Sequence, residues 1–505
     1  MCRQNPRRFA GDSGRLMMSF DFEKWDKNPK HAVIASLAVT SIIAVISFFT
    51  LLDWLGANPS LELTAEVPGL DALPPGGIPA QTKIDLRGRF TTYDGTQSDL
   101  PGEWTSFRGG NFDNIVTDGP ALASSWPEGG PEILWQVEVG RGYAAPTVLD
   151  GMVYLLDYDE ENKADFLRCF SLETGKEIWT RSYDLAAKVS HGVSRNIPAV
   201  SKDYILTIGP RCHVVCLDTK TGEFLWGKDL QGEYGTKEPA WYSAQCAFIE
   251  GDTVAIAPSG PETLMIGVDL KTGDVLWETP NPKSWDMSHA SIMPMTLLGK
   301  RMYVYPSLGG LSGVSAEPDD IGKLLWQIPW NATVVAPSPV QVSDDHIFMT
   351  AGYDSGNLMV KLTESGGIFT AEKVYAQEPG DGLSCEQQTP IFSDGLLYGI
   401  LPKKAGGFRQ QFVCFDPKGE FVWTSGSDNR FGLGPFLLAD DKFYILDDHG
   451  MLTMLDATKG EFKILEQVHI LDGHDPWGPI ALAGTRMFLR DMDRMICIEV
   501  GAKEA

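Results

Sequence analysis

The stretch Thr174–Trp179, TGKEIW, decides the fold, because the chain says it again and again. TGEFLW occupies 221–226, TGDVLW 272–277, GKLLW 322–326 and KGEFVW 418–423. In each copy a Gly stands four residues before a Trp. Weaker copies fill the gaps, ending at Trp135 (PEILW), Thr370 (GGIFT) and Ile464 (GEFKI). The eight endpoints are 44, 47, 51, 49, 44, 53 and 41 residues apart. A near-constant period of this size marks a repeat architecture.

Around each copy, apolar alternation runs into a Thr-Gly turn and resumes, as in CFSLETGKEIW. The Gly supplies a positive φ, and the Trp falls on the following strand, where a large ring can wedge between sheets. A second hairpin precedes each phrase: APTVLDGMVYLL (145–156), MPMTLLGKRMYVY (293–305), TPIFSDGLLYGI (389–400) and GPFLLADDKFYIL (434–446). Two hairpins per period make four antiparallel strands per unit. No segment after residue 100 carries a long helical period, so the domain reads as all-β. Four-stranded units repeated radially form a β-propeller. First strands begin near Ala144, Ser194, Ser243, Ser291, Ala336, Gln388, Gly434 and Gly478, which counts eight blades. The last unit lacks its fourth strand, and EILWQVEV (132–139) is left over at the front. Pairing the two closes the ring and removes an open edge.

Residues 32–52 form 21 uncharged residues, long enough to span a bilayer. Before them lie Arg3, Arg7, Arg8, Arg15, Lys24, Lys27 and Lys30; after them come Asp53, Glu62, Glu66 and Asp71, with no Lys or Arg until Lys83. The positive-inside rule places a tail (1–31) in the cytoplasm and the propeller in the periplasm, behind an uncleaved anchor. Residues 53–103 hold VPGLDALPPGGIPA and read as an extended linker, leaving 104–500 for the propeller. The chain carries a formal charge of −25; residues 1–31 contribute seven basic and four acidic groups, so the remainder stands at −25 − 3 = −28. Such an acidic domain disfavours nucleic acid as a partner.

Cys169, Cys216, Cys414 and Cys497 fall at equivalent places that hold Gly267 and Met454 in other units, which marks a packing position. There is no C-x-x-C, H-x-H, H-E-x-x-H, G-x-S-x-G or phosphate loop, so neither a metal nor a catalytic residue is assigned. The connections from one unit's outer strand to the next unit's inner strand gather on one face around the channel mouth. They bring Arg141, Tyr143, His191, Arg195, Tyr242, Gln245, Trp285, His289, Glu386, Gln388, Arg430, His474 and Trp477 towards one funnel. From this set Arg141, Tyr143, Arg195, Gln245, Trp285, His289, Gln388, Arg430, His474 and Trp477 are the candidate binding residues, since convergent polar and aromatic groups at a concave site suit a ligand. The Thr-Gly turns lie on the opposite, plainer face.

The pattern of Pro, Asp-Gly, apolar-Tyr, apolar-Asp, Thr-Gly, three residues and Trp resembles the PQQ-like repeat family. That family includes the quinoprotein dehydrogenases and BamB, the outer-membrane assembly propeller. WTSFRGGNFDNIV followed by SWPEGGPEILW resembles the start of bacterial members, and the resemblance covers roughly 104–500. It implies an eight-bladed propeller and one of two activities. In the first, the chain is an anchored scaffold that binds an envelope protein or other extracytoplasmic ligand, and no cofactor is expected. In the second, it is a dehydrogenase holding PQQ and calcium in the funnel; loop position, and no matched motif, offers Glu386 and Asn196 as metal ligands and Arg195 and Arg430 as basic groups for the cofactor. Members of the second kind use two adjacent cysteines beside the cofactor, and this chain has no adjacent pair.

Overall fold

The computed structural model describes residues 29–57, 84–189, 191–457 and 460–502. Most of the tail read at 1–31, and 58–83 of the linker, lie outside these residues. An α-helix, Pro29–Ala57, contains the uncharged run. Its stretch Val33–Leu52 is long and apolar enough to be a candidate membrane span. Apolar side chains face outward all around it, from Val33 and Ile34 to Leu51 and Leu52.

The β domain is an eight-bladed propeller. Blade 1 runs from its inner strand Thr147–Leu149 through Met152–Asp159 and Ala164–Ser171 to its outer strand Glu177–Asp184. Blades 2 to 7 begin at Ala199, Phe248, Met293, Val340, Ile391 and Phe436. Blade 8 takes three strands from Ala481–Glu499 and its outer strand from Glu132–Glu138, which pairs antiparallel with Arg494–Glu499. The ring is closed by the front strand, as the sequence implies.

The repeated phrase has a physical cause. Each blade's phrase Trp lies opposite a small or soft residue of its own third strand: Trp179 faces Cys169, Trp226 Cys216, Trp277 Gly267, Trp326 Gly313, Trp423 Cys414 and Trp135 Cys497. The turn Gly of the next blade covers that ring. A Cβ on Gly175 would come 2.6 Å from Trp135, on Gly222 3.1 Å from Trp179, on Gly273 2.7 Å from Trp226 and on Gly322 2.8 Å from Trp277. Trp135 and Trp226 also donate to the next blade, at Leu172 O (3.1 Å) and Leu270 O (2.7 Å). Thr-Gly-x-x-x-Trp is therefore an interblade joint, with a Gly from one blade seated on the Trp of the one before. All seven described cysteines are free and buried, in keeping with packing.

Two endpoints shift. In blade 5, Tyr375 and not Thr370 holds the Trp position, opposite Met359. In blade 7, Glu466 and not Ile464 lies opposite Met454. Tyr375 stands 375 − 326 = 49 residues after Trp326 and 423 − 375 = 48 before Trp423, a more even spacing than Thr370 gave. The cause is a long hairpin: the third and fourth strands of blade 5, Gly356–Ser365 and Ile368–Gln377, have ten residues each. Their Gly366-Gly367 turn thus sits far from the Trp position.

Part of the span read as linker is folded. Arg89–Thr92 adds a fifth strand to the outer edge of blade 1, with Thr92 opposite Trp179. Phe90 packs on Trp179 (5.8 Å between ring centres), and Leu86 packs into the core between blades 1 and 2. Residues 104–116 then enter the channel. Trp104 exchanges two 2.8 Å hydrogen bonds with Val148 of blade 1, and Thr105 O accepts from Val200 of blade 2. Phe107 packs on Ala145, Ile197 and Cys246, just before three inner strands. The buried Arg108 guanidinium donates to Asp113 O and Pro390 O, both at 2.9 Å. Ile115–Val116 returns alongside the inner strand of blade 7. WTSFRGGNFDNIV is a stopper in the channel.

Candidate functional site

The mouth connections make a belt before they make a site. The inner strands of blades 4, 5 and 6 are each tied to the previous blade by one side chain at the start of the strand. Ser291 Oγ accepts from Cys246 N (3.0 Å), Ser338 Oγ from Ser291 N (3.1 Å) and Thr389 Oγ1 from Ser338 N (2.9 Å). Gln245 belongs to this layer: fully buried, it exchanges bonds with both backbone groups of Ala257 and donates to Tyr305 (3.2 Å). Its bonds make it a structural clamp below the mouth.

Above the belt, a line of rings crosses the mouth. Trp477 stacks on Tyr143 (5.4 Å, 26°), and the Arg195 guanidinium lies 4.9 Å from the Tyr143 ring centre. Arg195 Nε donates to Trp241 O (2.7 Å), and its Nη2 to His191 O (2.8 Å) and Gly192 O (3.2 Å). Trp241 stacks on Tyr353 (5.6 Å, 17°). The Trp477 end is pinned by Gln388, which donates to Trp477 O (2.9 Å), and by Asp448, which accepts from the Trp477 indole (2.7 Å). His289 completes the cluster: its ring lies 6.5 Å from Trp241, and its Nε2 is 2.6 Å from Ala240 O. Burial pushes its imidazole down to about 4, so the ring is neutral.

Of the ten candidates, Tyr143, Arg195, His289, Gln388 and Trp477 meet in this line. The other five do not. Trp285 packs over Gly309 and Gly310 of blade 4, where an added Cβ would strike its ring. Arg430 turns to the carbonyl of Arg409. Arg141 and His474 are exposed, His474 pairing with Asp475 (3.1 Å). Gln245 is in the belt. Sequence reasoning missed Trp241, Tyr353 and Asp448. Trp241 stands beside Tyr242 in AWYSAQ, and Tyr242 is a strut whose hydroxyl bonds both backbone groups of Lys188. Tyr353 and Asp448 lie in turns between second and third strands, AGYDSG and DDHG. Those turns share the mouth face with the expected connections, which is the signal that would have found them.

Comparison with known proteins follows this geometry. The family described as outer membrane protein assembly factor BamB matches residues 163–399, 237 of the 505. Among solved structures, BamB from Moraxella catarrhalis aligns with a TM-score of 0.50 at 13% identity, covering 74% of this chain and 99% of that one. The computationally designed Ika8 protein aligns at 0.47 and 9%, covering 77% and 99%. A europium-containing methanol dehydrogenase aligns at 0.42 and 14%, covering 77% and 89%. A search of curated proteins finds no match. The chain is an eight-bladed β-propeller similar to the PQQ-like repeat proteins. In this propeller, the residues named for a quinone cofactor and calcium do not fit that task. Asn196 is fully buried and donates to Gln245 O (2.7 Å) between blades 2 and 3. Glu386 lies against Gly352 of blade 5, its carboxyl pushed upward by burial. Arg195 and Arg430 both spend donors on backbone carbonyls. Among the described residues no three His, Cys, Asp or Glu side chains gather to hold a metal.

Proposed function

We propose that the protein is a membrane-anchored, extracytoplasmic binding module that captures a component of the cell envelope on the channel mouth. One observation carries this reading: the side chains that meet there, Trp477, Tyr143, Arg195, Trp241 and Tyr353, form an aromatic and cationic surface. Aromatic rings and Arg are the groups that anchor interfaces. The apolar helix, with basic residues before it and acidic ones after it, supports anchoring with the propeller outside the cytoplasm. The family match supports an envelope role, being to a protein described as an outer membrane assembly factor.

The test is site-specific photo-crosslinking in native membranes. A photoreactive residue replaces Arg141 or His474, both exposed at the mouth, or Lys271, exposed on the Thr-Gly face. Adducts should form from Arg141 and His474. Adducts from Lys271 alone would move the binding surface to the opposite face. Reconstitution with PQQ and calcium should give no dye reduction with alcohols or sugars; activity there would restore the dehydrogenase reading.

A further inference from the structure

We propose that the mouth contains a gated site for a neutral sugar ring, bound by Trp241 and His289 and closed by the stacking of Trp241 on Tyr353. The inference rests on the mouth being the binding face and adds a ligand class to it.

The latch is visible in the backbone. Trp241 comes from the connection between blades 2 and 3, Tyr353 from a turn of blade 5. Where their rings meet, four successive-pair residues are left-handed: Trp241 (φ 61°), Tyr242 (76°), Tyr353 (52°) and Asp354 (68°). None is Gly. Bulky side chains rarely hold this conformation, and such strain gathers at ligand clamps and switches. Arg195 fixes the Trp241 carbonyl and Lys404 Nζ donates to Asp354 beside Tyr353, so both backbones are held and the latch is the pair of stacked rings.

The lining identifies the ligand. His289 is only 8% exposed, and the close approach of Nε2 to Ala240 O makes Nε2 the donor. Its Nδ1 is therefore an acceptor, buried and without a partner. The Trp241 Nε1–H is a buried donor, also without a partner. A donor and an acceptor left unpaired beside an aromatic face cost stability unless something joins them. A hydroxyl group both donates and accepts. Charge selects among ligands that carry one: the Arg195 guanidinium, which acts on His289, disfavours an ammonium, while the imidazole lone pair disfavours an anion. What remains is a neutral, hydroxyl-rich molecule with an apolar face to lay on an indole, as a pyranose has.

The experiment uses the full chain in a detergent without a sugar head group, observed by saturation-transfer difference NMR. Glucose, galactose and N-acetylglucosamine are the neutral probes; glucuronate and glucosamine carry the same ring with opposite charges. At least one neutral sugar should bind at millimolar concentration, with both charged sugars weaker by about tenfold or more. Trp241→Phe keeps the stack but loses the indole donor, and should weaken binding about threefold or more. Tyr353→Ala removes the latch and should tighten it. The proposal fails if no neutral sugar binds either the wild type or Tyr353→Ala. It also fails if a charged sugar binds best, or if Trp241→Phe binds like the wild type. Mouth adducts without sugar binding would leave the capture reading standing and sink this one; sugar binding without adducts would do the reverse.

Discussion

Gly175→Ala tests the interblade joint directly. Gly175 has a φ of 67°, and a Cβ there would lie 2.6–2.9 Å from three ring carbons of Trp135. Two penalties follow. The left-handed backbone costs a non-glycine about 1–2 kcal/mol. The overlap adds about 1–3 kcal/mol, because the indole is held by its bond to Leu172 O and cannot swing aside. Gly251→Ala is the matched control: its φ is 58°, yet nothing lies within 4 Å of the added Cβ. It should show the backbone cost alone. A domain of this size shifts its Tm by about 1 °C per kcal/mol, so Gly175→Ala should melt about 2–5 °C lower and Gly251→Ala about 1–2 °C lower. Thermal melts read by circular dichroism decide it. Adding Trp135→Phe to Gly175→Ala should cost less than the two single changes summed, since they share one contact. Equal shifts for the two glycines would refute the idea that the phrase encodes a Gly seated on a Trp.

Asp165 is fully buried, accepts from Tyr183 (2.6 Å) and is pushed up to about 7 by burial, with the Asp157 charge adding to the rise. A folded-state value above the ordinary 3.8 means that folding favours the proton, so the cost is small near pH 4, grows as pH rises towards 7 and levels off above it. Asp165→Asn should then match wild type near pH 4 and exceed it at pH 8 by up to about 4 kcal/mol; a pH-independent difference would contradict this. His213, pushed down to about 4, loses stability in the opposite direction as pH falls below its ordinary 6.5, but it is common to both proteins and cancels in the comparison. Arg108→Ala strands the carbonyls of Asp113 and Pro390 in the stopper and should cost about 2–3 kcal/mol in urea melts. Limited proteolysis of the purified chain should leave a propeller fragment that begins no later than Ile84, because Leu86 and Phe90 are packed on blades 1 and 2; a fragment beginning near Trp104 would show that Arg89–Thr92 is not held there.

The fold was legible because each blade repeats one packing problem. At four blade boundaries the Gly and the Trp of the phrase touch, so neither can drift without the other, and the eight spaced copies carry the count. Legibility ended where that contact ended. Blade 5 replaces the Trp with Tyr375 and lengthens the hairpin, and blade 7 puts Glu466 at the position, so spacing from the turn Gly missed both. The strand Arg89–Thr92 was unreadable for a different reason. Four residues, RFTT, carry no period, and their place is set by what they cover: Phe90 on Trp179, and Arg181 under Phe90 at 4.9 Å. The mouth was half legible. Periodicity located the connections, hence Tyr143, Arg195, His289, Gln388 and Trp477, but it is silent on which side chains point in. Trp285 and Arg430 have the right chemistry in the right loops and point elsewhere.

The stopper changes what the mouth can do. Phe107 reaches Ala145, Ile197 and Cys246, and Arg108 reaches Pro390, all at the mouth ends of inner strands. The channel is therefore filled nearly to its rim from the Thr-Gly side, and a ligand can enter only from the mouth. A shallow cup with a fixed floor leaves the rim as the part able to respond to binding. On that rim Arg195 and Gln388 hold one carbonyl each of the two Trp-bearing connections, Trp241 and Trp477. Loss of either hold loosens its connection without touching the belt below, where Ser291, Ser338 and Thr389 tie the blades. The aromatic line and the ties between blades thus sit in separate layers.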